Sequence, residues 1–380
     1  MNAATRTSGT VAGRRVPTLR LSLVVAAVIV ALALIDVSLR RTEQNEIGTQ
    51  ALQADRNGHQ LLQQGRADEA VDAFRKAHAL ERENTNYEID LIEALMAAGK
   101  FAEAQPLMRE ILEEQSNDGE ANLVAARLAA KQGQINTADS YYHRAIYGAW
   151  PDNLTQHQMS VRLELIDYLA ANGEENELLA ELLPLQEQAR NNTRLQPRLA
   201  KLFLTAGSAA RARDVYRQLI KLDPTSGANY AGLGEAELAL GDFRAAHAAF
   251  SAAVARQEND AALRERLDLA KLLSDIDPTP RGLSTQEKYS RSMRILQLAS
   301  SDLQQCITNH PELATDDATQ LVAQAKAQLA AAAPKQPTNE IAEGALSLSE
   351  TIWRVRVSLC GTGTAPDEEP LPLIMAKLTG

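Results

Sequence analysis

The chain has 380 residues, 45% of them hydrophobic and 23% charged, a balance that excludes disorder throughout and leaves room for two or three domains. A net charge of -10 and a pI near 5.3 exclude a general nucleic-acid binder, which needs clustered Lys and Arg against phosphate. Only 4% is aromatic while alanine and leucine abound, so an all-α fold is expected.

The N-terminal tail, 1–20, carries Arg6, Arg14, Arg15 and Arg20 and no acid. It is followed by "LSLVVAAVIVALALIDVSL" (21–39), closed off by Arg40 and Arg41. A helix of that length spans about 28 Å, close to the hydrocarbon thickness of a bilayer, so one transmembrane helix is expected here. The arginines ahead of it favour a cytoplasmic N-terminus and place the rest outside the cytoplasm. In a double-membraned bacterium that means a single-pass inner-membrane protein with its bulk in the periplasm. A cleaved signal peptide is the competing reading, using "ALA" at 31–33, but the apolar run continues through Leu34 and Ile35 where a polar cleavage region belongs. Asp36, near the outer end of the run, reads as interfacial rather than as part of an ion path.

Beyond residue 42 a ladder of glycines runs through the chain. Gly65, Gly99, Gly133, Gly173, Gly207 and Gly241 are separated by 34, 34, 40, 34 and 34 residues. Five places after each comes Ala70, Ala104, Ala138, Leu178, Ala212 or Ala246, and four further on Phe74, Met108, Tyr142, Leu182, Tyr216 or Phe250. Three more give Ala77, Ile111, Ala145, Leu185, Leu219 and Ala253, one face of a helix. Apolar faces also precede the glycines, as in Leu165, Ile166 and Leu169 or in Tyr230, Leu233 and Gly234. Each unit is predicted to be helix, glycine turn, helix, and no unit can bury its apolar face without a neighbour.

This 34-residue pattern resembles the tetratricopeptide repeat. Units 51–84, 85–118, 119–152, 193–226 and 227–260 fit well; the unit at 159–192 is degenerate and follows the insertion "PDNLTQH" (151–157), read as a loop. The resemblance implies a helical solenoid of about six units over 42–276, whose first helices line a concave groove. Carried over by position, the inward set includes Asp55, His59, Glu93, Met96, Leu123, Arg127, Lys131, Leu163, Asp167, Arg194, Arg198, Lys201, Leu204, Glu235 and Leu238. Arg127, Lys131, Arg198 and Lys201 would receive an acidic peptide, with Leu123 and Leu204 giving apolar contact. The same side chains read equally as the solvated side of amphipathic helices. Asp55 and His59 stand where chaperone-tail adaptors of the family carry lysine and asparagine, which argues against that role.

"DIDPTPRGLS" (275–284) breaks the pattern. A C-terminal helical domain is expected over 281–360, opened by the capping box "STQE" (284–287) with a stripe at Tyr289, Met293, Leu296, Leu303 and Ile307. A second helix is predicted from about 316 to 332, and a third from about 338 to 359 with Ile341, Leu348, Ile352, Val355 and Leu359 on one face. An up-down-up bundle puts Cys306 and Cys360, the chain's two cysteines, at one end, and a disulfide between them is expected. Such a bridge suits an oxidising compartment and would stabilise the fold by about 4 kcal/mol. Residues 361–380 read as a linker and a short apolar tail that packs back on the bundle.

No HExxH spacing, phosphate-cradling glycine loop or nucleophile beside a base is visible, so neither an enzyme nor a cofactor or metal site is expected. The sequence therefore points to a membrane-anchored scaffold that binds another protein or peptide segment in envelope assembly, secretion or maintenance. The alternative is a module that binds an envelope polysaccharide or supports its export. Sugar grooves usually present aromatics, and the inward set contains none.

Overall fold

The computed structural model describes the backbone of residues 17–188, 192, 194–257, 259–362 and 369–379, with side chains from residue 26 onward except 27 and 188. Among the described residues all regular structure is helical, in seventeen α-helices and one 3-10 turn at Pro311–Leu313. The chain divides into two compact units, one ending at Tyr168 and one beginning at Leu169.

The first unit holds α1 (Pro17–Gln63), α2 (Ala67–Leu80), α3 (Thr85–Ala97), α4 (Phe101–Glu114), α5 (Gly119–Lys131), α6 (Ile135–Tyr147) and most of α7 (Leu154–Asn172). The end of α1 pairs with α2, α3 with α4, and α5 with α6, so the hairpins follow the glycine ladder. All six ladder glycines have positive φ, from +65° to +73°, in the left-handed region that a side chain enters only at a cost. Around Gly65 the turn closes by hydrogen bonds from Gly65 N to Leu62 O (3.0 Å) and from Arg66 N to Leu61 O (2.9 Å), which satisfy the last carbonyls of the helix. The residues five, nine and twelve places after each glycine are buried in every unit.

The small and large positions of a unit meet directly. A Cβ on Gly58 would lie 2.6 Å from the Phe74 ring, and one on Gly234 would lie 2.7 Å from Phe250. Aromatic rings at these places therefore seat on bare backbone of the facing helix, which is why that face tolerates no side chain.

The insertion at 151–157 is mostly not a loop. Helix α7 already begins at Leu154, so the extra residues lengthen the helix that precedes Gly173. Trp150 pins the entry, stacking on His157 at 4.1 Å and donating from Nε1 to Ala145 O at 2.9 Å.

No helix of the described residues is long and apolar enough to cross a membrane. The expected span, 21–39, lies in part outside the residues whose side chains are described. Its described part forms a collar around α1, in which eight large apolar side chains from Val28 to Leu39 are 46% to 65% exposed. Asp36 is paired with Arg40 one turn on, at 3.0 Å.

The second unit contains α8 (Glu175–Gln188), α9 (Gln196–Thr205), α10 (Ala209–Leu222), α11 (Gly227–Ala239), α12 (Phe243–Val254) and α13 (Ala261–Ile276). It continues through α14 (Thr285–Asn309), α15 (Asp316–Ala330), α16 (Asn339–Cys360) and α17 (Pro370–Thr379). The Ser284–Glu287 capping box forms at the start of α14. One apolar core runs from Leu238, Phe243 and Phe250 through Leu273, Leu296 and Leu303 to Ile352, Ile374 and Met375, so the sixth hairpin and the C-terminal helices share an interior. Helix α14 packs chiefly on α16, and Cys306 and Cys360 are joined by a disulfide with Cα atoms 6.3 Å apart.

The face of α16 is the expected one except at its start: Leu348 and Ile352 are buried, and Val355 and Leu359 pack against the core. Ile341 is 39% exposed, while Ala342, Ala345, Leu348, Ser349 and Ile352 are buried. The small residues let α16 approach α14 closely, and Ser349 satisfies its hydroxyl on Ala345 O at 2.7 Å.

Helix α17 covers the end of this core. Lys377 Nζ lies 2.6 Å from Asp277 Oδ2 and donates to Gly241 O at 2.7 Å, with the ammonium 4.9 Å from the Phe243 ring centre. Asp277 is only 3% exposed.

Two stability tests follow from this packing. Gly234→Val should lower the urea midpoint, by about 2 kcal/mol in stability, because its side chain must displace Phe250. Lys377→Met should cost about 3 kcal/mol by stranding the Asp277 carboxylate, whereas Lys377→Met combined with Asp277→Leu should recover most of that loss.

Candidate functional site

In the first unit the first helices of successive hairpins share a polar face. At its centre Arg127, on α5, sends Nε and Nη2 to the two carboxylate oxygens of Glu164 on α7, both at 2.8 Å. Its Nη1 reaches Glu93 Oε1 on α3 at 3.4 Å, and Tyr142 on α6 donates its hydroxyl to Glu164 at 3.0 Å. Burial works to raise Glu164, but the hydrogen bond and charge of Arg127 and the Tyr142 hydroxyl outweigh it and hold the carboxyl below its usual range. Donating to the Glu164 carboxylate in turn raises Arg127.

Next to this network lies a second cluster. Asp55 and His59 stand one turn apart on α1, and Asp90 faces them from α3. His59 Nε2 is 3.6 Å from Asp55 Oδ1 and 3.6 Å from Asp90 Oδ1. Burial, and then the neighbouring Asp55 carboxylate, push Asp90 up to about 7. Burial also raises Glu120 on α5, helped by Asp118 and Glu93. Five carboxylates, Asp55, Asp90, Glu93, Glu120 and Glu164, thus border this face around Arg127.

The sequence-predicted groove residues fall into three groups. Asp55, His59, Glu93, Met96, Leu123, Arg127, Lys131 and Leu163 are on the first helices of the first unit, where Met96, Leu123 and Leu163 are half-buried and Lys131 is exposed. Arg127 was expected to receive an acidic peptide, yet its guanidinium is already held by Glu164 and Glu93. The carboxylates around it make the face acidic instead. In the second unit Arg198 and Lys201 are exposed on α9 beside half-buried Leu204, and Arg194 lies in the turn before that helix. Glu235 holds Arg266 across to α13 through a two-pronged pair with one arm at 2.8 Å, and Leu238 is a core residue rather than a groove one.

A sequence profile of the tetratricopeptide repeat matches residues 61–128 and 95–146. Residues 61–146 of the chain are tetratricopeptide repeats. It is 26% identical over 228 residues to the putative cellulose synthase operon protein C of Escherichia coli O157:H7, and 25% identical over 228 residues to cellulose synthase operon protein C of strain K12. Each match takes in 58% of this chain and 19% of the relative, so the chain spans about a fifth of the length of these curated relatives. Solved structures with a similar fold include PilW, a type IV pilus biogenesis factor (14% identity, 56% of this chain and 96% of that one, TM-score 0.38). Another is the C-terminal part of a repeat protein from Cytophaga hutchinsonii (12% identity, 81% of this chain and 96% of that one, TM-score 0.40).

Three carboxylates of the polar face were missed in the sequence: Glu120, and Asp90 and Glu164 at the sixth place of their repeat units, outside the set the repeat pattern supplies for those units. The available signal was acids set among the apolar residues of a first helix, as in "YEIDLIEALM".

The Asp90 environment has a consequence for pH. The folded chain binds the Asp90 proton more tightly than the unfolded chain does, so this stabilisation is complete below about pH 4 and is lost as pH rises to about 7. The groups facing it are Asp55, His59, Tyr87, Glu93 and Glu120. Thermal melts of Asp90→Asn should show a flatter profile across that window and a higher midpoint than the parent chain at about pH 8.

Proposed function

We propose that this chain is a non-catalytic scaffold held at a membrane by its apolar collar, and that the acidic face of its first unit receives a segment of another protein. The repeat architecture supports protein binding, and the excess of carboxylates favours a segment that carries Lys or Arg. The observation that carries the reading is the continuity of α1. One helix bears the exposed apolar residues from Val28 to Leu39 and, further on, the Asp55 and His59 side chains of the polar face. Anchor and binding face are thus one element, with no linker between them.

The arginines of residues 1–20 support an orientation with the N-terminus in the cytoplasm and the repeats on the far side of an inner membrane, in the periplasm. The bridged cysteines agree with an oxidising setting. In such a place the scaffold would serve assembly, secretion or maintenance of the envelope.

A second reading is a module for an envelope polysaccharide. It is supported by the names of the two Escherichia coli relatives and by aromatic side chains near the start of α7. Tyr147 is 67% exposed and stacks on His143 at 6.5 Å, close in sequence to the Trp150–His157 pair.

Photo-crosslinkers at Met96 and Lys131, on first helices, against Asp72 and Glu113 on second helices, separate these readings in living cells. A discrete protein adduct from Met96 and Lys131 only is the expected outcome. Equal labelling from both faces, or adducts to polysaccharide alone, would overturn the protein-scaffold reading. For the anchor, alkaline extraction should leave the full chain with membranes and release a Val30→Arg/Leu34→Arg variant; retention of that variant would count against the collar.

A further inference from the structure

The cluster of Asp55, His59 and Asp90 has the composition and spacing of a metal-ligand set. Its three donor atoms lie within 4.8 Å of one another. Two ligands at i and i+4 on one helix project from the same face, and the facing helix supplies the third. With metal–ligand bonds of about 2.0–2.2 Å, neighbouring donors around a tetrahedral ion stand roughly 3.3–3.6 Å apart. The His59 Nε2 separations from Asp55 Oδ1 and Asp90 Oδ1, 3.6 Å each, are close to that edge and too long for hydrogen bonds. The imidazole thus stands beside both carboxylates at a ligand-like separation, while Asp90 also hydrogen-bonds the Asp55 carboxyl group.

A second observation concerns Asp55 alone. The residue is 9% exposed, and its Oδ1, which faces His59, is shut off from solvent and has no hydrogen-bond partner. A buried carboxylate oxygen left without a donor is costly, and a bound cation is one of the few things that satisfies it. The imidazole is held by the Phe74 ring, edge-on at 5.0 Å and 80°. Phe74 is itself seated on Gly58, so the ligand-bearing stretch of α1 is fixed by the repeat core.

We propose that Asp55, His59 and Asp90 bind a first-row transition-metal dication. Two carboxylates and a neutral imidazole supply two negative charges for the ion and leave a coordination position open. One nitrogen among the donors selects the borderline metals over Mg²⁺ and Ca²⁺, which take oxygen ligands. The ion would tie α1 to α3, the first hairpin to the second, by replacing repulsion between two carboxylates with a shared attraction. The pH dependence argued above for Asp90 belongs to the metal-free chain.

The test uses the full chain stripped with chelator and then titrated with Zn²⁺ by calorimetry and by thermal melts. Co²⁺ serves as a spectroscopic probe of nitrogen and oxygen coordination. One Zn²⁺ per chain and a raised melting midpoint are expected. His59→Gln and Asp90→Asn should each weaken binding by about 100-fold or more, the upper end of the roughly 10–100-fold that changes beyond the ligands themselves cause. A His143→Ala/His157→Ala/His310→Ala variant, which removes histidines that each pair with a nearby acid, should bind as the parent does. Melts in chelator show whether each variant is folded, and both ligand variants should match or exceed the stripped parent there. Zn²⁺ affinity unchanged in folded His59→Gln and Asp90→Asn overturns the assignment, as does Mg²⁺ bound as tightly as Zn²⁺. Absence of Zn²⁺ binding at micromolar concentration would overturn it equally.

Discussion

Each of the six ladder glycines ends a helix at a backbone position that a side chain would strain. With φ between +65° and +73°, the ladder glycines end one helix and release the next within a few residues. Close pairing of the two helices then depends on small residues and bare backbone, and the rings of Phe74 and Phe250 lie against Gly58 and Gly234 because nothing else would fit there. The charged positions on the first helices are set by the same geometry. Asp55 and Asp90 come together because the helices that carry them are held close by this packing, despite the repulsion between the two carboxylates.

The polar face shows how little a charged residue's identity reveals without its neighbours. Arg127 looks like an anion receptor when counted along the chain, yet three carboxylate contacts from Glu164 and Glu93 occupy its donors. The pair is partly exposed, so its worth lies less in stability than in fixing where the guanidinium points. Around it the unpaired balance is negative. An approaching segment would meet carboxylates first, and the preference of the face for cations is a property of the whole cluster rather than of any one side chain.

Much of the fold was legible because the repeat writes one physical requirement six times. The glycine ladder, the small residues five places on and the rings four places further all lie in register with the observed hairpins. What escaped was set by a single local contact rather than by a repeated one. The insertion at 151–157 became helix because Trp150 found His157 to stack on. Ile341 was misplaced because the first turns of α16 bury Ala342 and Ala345 instead. Asp90 and Glu164 escaped because their partners sit roughly a repeat away in sequence, and no periodicity reports which acid finds which base. Leu238 escaped in the opposite sense, since the helices after the sixth hairpin extend the core over it.

The continuity of α1 has a mechanical meaning. A helix advances about 100° per residue, so the direction in which Asp55 faces also fixes the bearing of every side chain further up the same rod. No proline interrupts the stretch from Ala26 to Asp55, and Gly48 is its single glycine. The packing of Phe74 and Tyr87 against the lower part of the rod therefore sets the azimuth of the collar, including the side on which Asp36 and Arg40 stand. Twisting the upper end would wrench the first hairpin, and a ligand that locked α1 to α3 would stiffen the whole shaft.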